Sequence, residues 1–472
     1  MSDPVVPPAG RDVGIALSGG GHRATVFGLG ALLAIADVGM HRRTLSISSV
    51  SGGSIANGAV MVGPDFGTSS PEEIEAHIGS LVAAVAQRGV LQGGAPATKG
   101  YLLGLIVAGV ITGLGVVATI VAAVGGWPIV FGVAAVITLV AGMIAWTLFG
   151  QRSKRVEGAV DLELLGHRKT TLAEQQARNL SVHHVICTTE LQSGKAFFFS
   201  NRMVYGWKFG GSLRPSDLPL ATPVQASACV PGAFRPREIE LGVLGLSPTA
   251  AAPGQPAVAR IVLEDGGVYD NMADEWEYRF ANRVERWPEL ATVQAHAART
   301  MVVVNASEGW ESLRPVSGGG VKFEIAGLLR SQNVQYDVST AHRRKALADM
   351  FRESTPGGSE PDGVFVQIKD SPFHLARAWA PKEGFPPGDR NRWAAEALDY
   401  LGRSGISEDE WATVAKASAA VATTLKPLGV PVSAALLEHG YVLALVNLHV
   451  MFGLGDLSVP LDRGRFARLA QG

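Results

Sequence analysis

The sequence has few charged residues and few cysteines for a chain of 472 residues. Charged residues make up 18% of it, against about 25% in an average soluble domain. Hydrophobic residues make up 47%, which excludes a mostly disordered chain. A formal net charge of −1 argues against a protein dedicated to nucleic acid, which would carry a basic excess. Two cysteines exclude a disulfide framework and a four-thiolate zinc site.

The shortage of charge is concentrated in one segment. Residues 101–150 contain no Asp, Glu, Lys or Arg, although about ten would be expected at the charge density of the remaining chain. Gly125-Gly126-Trp127-Pro128 divides the segment and suits a tight turn. Each part is long enough for a helix that crosses a hydrocarbon core of about 30 Å. We therefore predict a two-helix transmembrane hairpin; the alternative is a pair of buried core helices in a large soluble protein.

Small residues recur at intervals of four in both parts of this segment. Gly109 and Gly113 form a G-x-x-x-G motif in the first part, and Ala134, Thr138 and Gly142 follow the same spacing in the second. Such spacing lets two helix backbones approach closely in lipid. The motif could also support self-association of the hairpin, and the oligomeric state stays open.

The residues that flank the hairpin are basic. Lys99 precedes the first helix, and Arg152, Lys154 and Arg155 follow the second, whereas the turn is uncharged. The positive-inside rule places both flanks, and with them the soluble segments, in the cytoplasm. We expect an integral membrane protein with its soluble domain on the cytoplasmic side. The Arg-rich, Ala-rich composition fits a bacterium with GC-rich DNA, in which case the membrane would be the inner membrane.

A glycine-rich turn follows the first apolar run. Residues 13–17 favour a strand, Ser18-Gly19-Gly20-Gly21-His22-Arg23 follows them, and residues 24–38 favour a helix. A strand, a glycine-rich turn and a helix form an anion-binding unit. The spacing matches a dinucleotide fingerprint weakly, because residues 45–51 lack the acidic residue that such a site needs. The other interpretation is an oxyanion hole, in which glycine amides meet a developing negative charge.

The next unit has the layout of a nucleophile elbow. Residues 44–50 favour a strand, Ser51-Gly52-Gly53-Ser54 turns sharply, and residues 55–61 can begin a helix. In such an elbow a serine lies on a tight strand-to-helix turn between small neighbours. Ser49 replaces the first glycine of the usual G-x-S-x-G pattern. An ordinary glycine-containing turn is the alternative.

A candidate acidic partner lies far downstream. Residues 258–263 favour a strand that leads into Glu264-Asp265-Gly266-Gly267. Asp265 is then expected at the carboxyl end of a strand, where α/β sheets place their chemistry. Taken alone, the same residues also suit a common Asp-Gly turn.

Together these three pieces resemble the patatin-like phospholipase family. The family carries a G-G-G-x-R/K oxyanion loop, a serine elbow and a D-G-G/A motif, here Gly19 to Arg23, the turn at Ser51, and Asp265-Gly266-Gly267 in the same order. Residues 226–236 and 189–194 are also similar to family blocks. The resemblance covers most of residues 10–370, and the departures are Ser49 and the hairpin, which resembles an insertion.

The resemblance implies a three-layer α/β/α fold with a mostly parallel central sheet and a Ser–Asp dyad. Asp265 would take the proton of Ser51, and an acyl-enzyme would form and be hydrolysed. Backbone amides of Gly19, Gly20, Gly21 and Gly52 would hold the oxyanion. Arg23 is expected to be either a structural charge or one that faces a phosphate. No metal and no cofactor are implied.

A Ser–His–Asp triad is the rival mechanism, but none of the eleven histidines stands where a triad base is expected. His183, His184, His439 and His449 are interpreted as structural. The last two lie in an apolar stretch, residues 433–452, that could suggest a third membrane span. Polar residues interrupt this stretch at considerable cost in lipid, and we expect a packed or interfacial helix there.

The predicted organisation is a patatin-like domain in two parts, residues 1–98 and 156–472, separated by the hairpin at residues 99–155. The expected function is hydrolysis of acyl esters in membrane lipids, with a phospholipid or another lipid ester as substrate, the bilayer as partner and no nucleic acid. One rival is a catalytically silent membrane-bound adaptor that uses the fold to bind lipid. Another is a nucleotide-binding membrane protein that uses the glycine-rich loop.

Overall fold

The computed structural model describes residues 10–91, 96–167, 169–214, 216–250, 257–307, 321–353, 362–381 and 388–472. Residues 1–9 and 92–95 of the first predicted domain part therefore lie outside the described residues. Strands within the described part of the chain are β1 (Val13–Leu17), β2 (Thr44–Ser49), β3 (His183–Glu190), β4 (Lys195–Ser200), β5 (Val204–Gly206), β6 (Gly210–Ser212), β7 (Arg237–Glu240), β8 (Thr249–Ala250), β9 (Ala257–Val258), β10 (Arg260–Glu264), β11 (Thr300–Asn305) and β12 (Asp362–Gln367).

Helices surround these strands and connect most of them. They are α1 (Gly21–Asp37), α2 (Gly52–Val62), α3 (Pro71–Gln87), α4 (Pro96–Val124), α5 (Pro128–Gly150), α6 (Arg152–Glu163), α7 (Leu172–Ala177), α8 (Ala221–Ser227), α9 (Glu275–Tyr278), α10 (Phe280–Arg286), α11 (Val321–Glu353), α12 (Phe373–Trp379), α13 (Asp389–Arg403), α14 (Glu408–Ala420), α15 (Val430–Phe452) and α16 (Arg463–Gln471).

The central sheet has a parallel half and an antiparallel half. Strands β12, β11, β1, β2 and β3 pair in that order, and all of these pairs are parallel. Strands β4, β5 and β6 continue the sheet beyond β3 in antiparallel pairs. Strand β10 also pairs with β3, antiparallel, and carries β7 on its other side. The predicted parallel sheet is thus one half of this sheet, and it contains the strands before the serine elbow and the glycine-rich turn.

Apolar side chains of the parallel strands alternate between two cores, one on each face of the sheet. In β1, Ile15 and Leu17 lie in the core that includes α1 and α15, whereas Ala16 lies in the core that includes Trp276. Successive side chains of a strand point to opposite faces, so a strand that is apolar throughout needs cover on both sides. The fold is therefore a mixed α/β structure with helices on both faces of its sheet.

Helices α4 and α5 form an antiparallel hairpin whose apolar side chains are mostly exposed. Ile129 and Trp146, for example, are 81% and 80% exposed. Gly115 contacts Thr138, and Gly142 lies near Thr112, so the small residues of the second helix pack as expected. Gly109 and Gly113 face open space instead, and their G-x-x-x-G motif makes no contact within the hairpin.

Within the described residues, three helices are long and apolar enough to cross a membrane, which is compatible with membrane association. Two are α4 and α5. The third is α15, most of which is buried inside the protein, in agreement with the expectation of a packed helix. The predicted domain boundary at residue 155 falls inside α6, a separate helix that packs against α8.

Candidate active site

Ser51 lies on a strained turn between β2 and α2. Its φ and ψ angles are 49° and −119°, a region that a residue other than glycine seldom adopts. Gly53 has no room for a Cβ atom against the Leu17 carbonyl, and a Cβ on Gly52 would lie against the peptide of Gly21. Two glycines after a serine with positive φ, between a buried strand and a helix, form the geometry of a nucleophile elbow.

A buried network of hydroxyl and amide groups holds the turn at Ser51 in place. The Ser51 amide donates to both the carbonyl and the Oγ of Ser227, at 3.1 and 3.0 Å. Ser227 Oγ lies 2.8 Å from Ser54 Oγ, which donates to Ser49 Oγ. Asn57 also donates to Ser49 Oγ. Ser49, the departure from the usual glycine, is thus accommodated as a member of this network.

Asp265 follows β10, and hydrogen bonds of its amide, its carbonyl and one carboxylate oxygen hold it in place. Its amide donates to the Cys229 carbonyl at 3.2 Å, and its carbonyl accepts from Thr189 Oγ1 at 2.8 Å. Oδ1 accepts from the Gly267 amide at 2.8 Å. Oδ2 is buried and has no hydrogen-bond partner among the described residues, so one carboxylate oxygen remains available.

Burial raises the pKa of Asp265 to about 7, and the Gly267 amide and the Ser51 hydroxyl offset part of this rise. The Ser51 hydroxyl therefore lies near the carboxyl group, and Oδ2 makes no hydrogen bond of ordinary geometry with the described residues. Catalytic hydrogen bonds are often long before substrate binds.

The two residues meet along β3. Strand β2 pairs with the first half of β3, where Ser49 lies opposite Ile186, and β10 pairs with its end, where Glu264 lies opposite Thr189. Strands β2 and β10 run in opposite directions, so their carboxyl ends point toward each other. Ser51 and Asp265 thus follow strands that both pair with β3 and not with each other.

The glycine-rich turn lies against the elbow. Gly20 and Gly21 have φ angles of 139° and 59°, which glycine adopts without strain. The amides of Gly20, Gly21 and Gly52 make no hydrogen bond with the described part of the chain. Helices α1 and α2 begin at Gly21 and Gly52, and the amino ends of helices favour negative charge. These three amides can therefore receive an anion.

Gly19 does not supply an oxyanion donor in this structure. Its amide donates to the Asn271 carbonyl at 3.0 Å, so the N–H group that the sequence assigned to the oxyanion is already used. A Cβ atom on Gly19 would meet the side chains of Asn271 and Ser51. Gly19 thus permits the close approach of turn and elbow, which is a different role from the one expected.

Arg23 is a structural charge. It is 3% exposed and donates to the carbonyls of Ala306, Ala419 and Val421, at distances of 2.7 to 3.1 Å. These contacts join the start of α1 to the end of β11 and to the segment after α14. The alternative of a charge that faces phosphate does not fit a guanidinium group engaged with buried carbonyls.

The rival triad finds no base beside the serine. Within the described residues, no histidine is hydrogen-bonded to Ser51 or Asp265. His22, the nearest in sequence, is fully buried, and its Nδ1 lies 2.9 Å from the Lys426 carbonyl. Burial lowers the pKa of His22 to about 4. His183 and His184 are also buried and bonded to side chains of the core.

Two residues near the site were missed by sequence reasoning. Asn271 holds the Gly19 amide, and its Oδ1 is buried without a partner among the described residues. Ser227 holds the Ser51 amide; it lies in a block quoted for its resemblance, but no role was assigned to it. For Asn271 the only signal was its position six residues after Asp265.

No group of three or more His, Cys, Asp or Glu in the described parts of the chain could hold a metal ion.

Comparison with known proteins gives distant structural similarity only. No family model matches the sequence, and no curated protein matches it. Human GIVD cytosolic phospholipase A2 is similar at a TM-score of 0.37 and 13% identity, over 68% of this chain and 48% of that one. A complex of the same human protein with methyl gamma-linolenyl fluorophosphonate and terbium chloride gives 0.44 and 10%, over 94% and 59%.

A third similar structure, VipD from Legionella pneumophila, gives a TM-score of 0.26 and 15% identity, over 56% of this chain and 47% of that one. The chain thus spans about half to three fifths of the length of these proteins.

Proposed function

We propose that the protein is a serine acyl hydrolase that cleaves ester bonds of membrane lipids. The observation that carries the proposal is the meeting of Ser51, on a strained elbow, with a buried Asp265 whose Oδ2 has no partner among the described residues. A nucleophile, a base and a group of free amides in one place are the parts that acyl transfer requires.

Asp265 has the properties of a general base. A base works best when its pKa lies near the operating pH, and burial raises the pKa of Asp265 to about 7. Its Oδ2 would take the proton of Ser51 Oγ as that oxygen attacks the carbonyl carbon of the ester. The Gly267 amide on Oδ1 fixes the orientation of the carboxylate during this transfer.

The amides of Gly20, Gly21 and Gly52 would stabilise the oxygen that becomes negative in the tetrahedral intermediate. When the intermediate collapses, the ester C–O bond breaks, the alcohol takes the proton from Asp265, and the acyl group stays on Ser51. Water, deprotonated by Asp265, then attacks the acyl-enzyme. The bond between the acyl carbon and Ser51 Oγ breaks, Ser51 takes the proton back from Asp265, and the fatty acid leaves. Removal of one oxyanion-hole donor typically lowers kcat by a factor of about 10²–10³.

The lipid nature of the substrate is inferred from the hairpin. Its exposed apolar helices suit a bilayer, and the basic residues that flank it favour a cytoplasmic position of the α/β domain. Arg152, just after α5, donates to the Ala233 carbonyl. Ala233 lies four residues after Cys229, and the Cys229 carbonyl accepts from the Asp265 amide. The base of the anchor therefore lies near the dyad, as an enzyme that meets its substrate in the membrane would require.

The experiment is hydrolysis by the full-length protein reconstituted in phospholipid vesicles. We expect release of fatty acid, loss of that activity in Ser51→Ala, and labelling of Ser51 by an alkyl fluorophosphonate. Ser80→Ala, which changes an exposed serine on α3, is the matched control and should retain full activity. A folded protein that releases no fatty acid and leaves Ser51 unlabelled would instead support the catalytically silent lipid-binding protein.

A further inference from the structure

Helix α6 contacts the active-site surroundings through Ser153. This residue is buried, and its Oγ donates to the Arg235 carbonyl at 2.7 Å while accepting from the Arg235 amide at 2.9 Å. One hydroxyl thus satisfies both polar groups of one residue. Ser153 lies three residues after the end of α5, so this contact is made where the hairpin joins the α/β domain.

Glu157, one helical turn later, holds the same region at two further points. Its Oε1 accepts from Thr222 Oγ1 at 2.7 Å, and its Oε2 pairs with Arg237. Residues four apart lie on one face of a helix, so Ser153 and Glu157 present a single polar face. That face contacts residues 227–237, which we call the bridging segment, at Arg235 and Arg237, and it contacts the chain just before the segment at Thr222.

The bridging segment in turn holds the backbone of both proposed catalytic residues. Ser227 accepts the Ser51 amide, and the Cys229 carbonyl accepts the Asp265 amide. At its other end Arg237 lies opposite Leu263 in the pair of β7 and β10. The Cys229 thiol donates to the Arg235 carbonyl at 3.1 Å, the same carbonyl that accepts from Ser153.

We propose that Ser153 is a positioning residue that fixes the distance between Ser51 and Asp265 by holding the bridging segment. The proposal rests on the function proposed above. Ser153 touches neither reacting group; it acts through Arg235 and Cys229. Removal of this buried hydroxyl would leave the Arg235 amide without its partner, and the Arg235 carbonyl would keep only the weak thiol donor of Cys229. The bridging segment would then open.

The position of the bridging segment can be measured without catalysis, through the thiol of Cys229. The chain has two cysteines, and both are buried. Cys187 lies in β3 and reports global unfolding, whereas Cys229 lies in the bridging segment and reports its opening. Thiol modification of the full-length protein in vesicles, followed by peptide mass spectrometry, separates the two rates.

Ser153→Ala should raise the modification rate of Cys229 about tenfold and leave that of Cys187 unchanged; tenfold corresponds to about 1.4 kcal/mol. It should also lower kcat on a small soluble ester about tenfold with KM unchanged, because the dyad and not the substrate pocket is displaced. Ser153→Thr keeps the hydroxyl and should restore both values. Lys154→Ala, an exposed change on the same helix, should leave both unaltered.

Wild-type rates for both Cys229 and kcat in Ser153→Ala would overturn the proposal. So would equal effects of Ser153→Ala and Lys154→Ala, or faster modification of Cys187, because these would indicate general loss of structure. If the wild-type protein hydrolyses no ester, the proposed function fails separately. The Cys229 rate then still decides whether Ser153 holds the bridging segment, and an unchanged rate rejects it.

Discussion

The pH dependence of hydrolysis follows from the burial of Asp265. Burial raises the pKa of this carboxyl group from 3.8 to about 7. A rise of roughly three units corresponds to roughly 4 kcal/mol, the free energy by which the folded protein disfavours the charged carboxylate. Only the charged form can accept the proton of Ser51. The rate should therefore fall as the pH drops below about 7, close to tenfold per unit and roughly a hundredfold at pH 5.

The assay is kcat/KM on a small uncharged ester between pH 4.5 and 9, since this ratio reports the pKa values of the free enzyme. The negative charge of Glu264 contributes to the raised pKa of Asp265. Glu264→Gln should therefore move the acid limb to lower pH without abolishing activity. A limb near 4 in the wild-type protein would refute the reasoning, because it would mean a solvated carboxylate.

The same shift predicts the stability of Asp265→Asn. Since the pKa in the folded state lies above the unfolded value, Asp265 favours folding while it is protonated, and this contribution is lost as the pH rises through about 7. The amide that replaces the carboxyl group in this variant stays neutral at every pH. The stabilising effect of Asp265→Asn relative to wild type should therefore grow between pH 5 and pH 8, measured as the difference in Tm in detergent. A difference that shrinks over this range would contradict the assignment.

Three further outcomes follow from the site and the hairpin. Ser51→Ala and Asp265→Asn should each lower kcat at least about 10³-fold, and the double variant should be scarcely slower than either, because the pair acts as a unit; additive losses would indicate independent roles. Gly52→Ala should abolish activity, since its Cβ would meet the Gly21 peptide, whereas Gly158→Ala on the open face of α6 should leave activity intact and stabilise by up to about 1 kcal/mol. Replacing residues 101–150 by a short Gly/Ser linker should give a soluble protein that keeps its rate on a small ester and loses most of its rate on vesicles; equal loss of both by a folded protein would make the hairpin part of the site.

The serine elbow could be predicted because its signals are local. A run of strand formers, a serine and two glycines specify the turn, and the structure adds the reason: Gly52 and Gly53 lie against backbone atoms where no Cβ fits. The departure at Ser49 could not be judged in the same way. Ser49 is tolerated because the Ser54 hydroxyl and the Asn57 side-chain amide, both on α2, donate to its Oγ.

The pairing around Asp265 could not be predicted, because it depends on contacts between distant segments. Nothing near Asp265 indicates that β10 runs antiparallel to β3 and meets β2 end to end. The role of Gly19 was missed for the same reason, since its amide is occupied by a carbonyl of residue 271, more than 250 positions away. Sequence motifs identify which residues are special, but not which of their backbone groups remain free.

The contrast between α15 and the hairpin shows how polar residues distinguish a buried apolar helix from exposed apolar helices. All three helices are apolar enough to cross a bilayer, yet only α15 carries acidic or histidine side chains along its length. Four polar side chains that would cost free energy in lipid have a protein partner here: Glu438 pairs with Arg463, His439 with the Asp370 carbonyl, Asn447 with the Phe365 carbonyl, and His449 with Glu396. His439 Nδ1 and Asn447 Oδ1 have no partner among the described residues. Beyond the first turn of α4, the hairpin helices contain no charged, histidine or asparagine side chain. Most of their apolar side chains are exposed and do not pack into a protein core. Four polar residues of α15 thus have partners in the surrounding protein, whereas residues 101–150 carry no charged side chain and leave most of their apolar surface exposed. This difference supports the proposal that the hairpin, and not α15, is a membrane anchor.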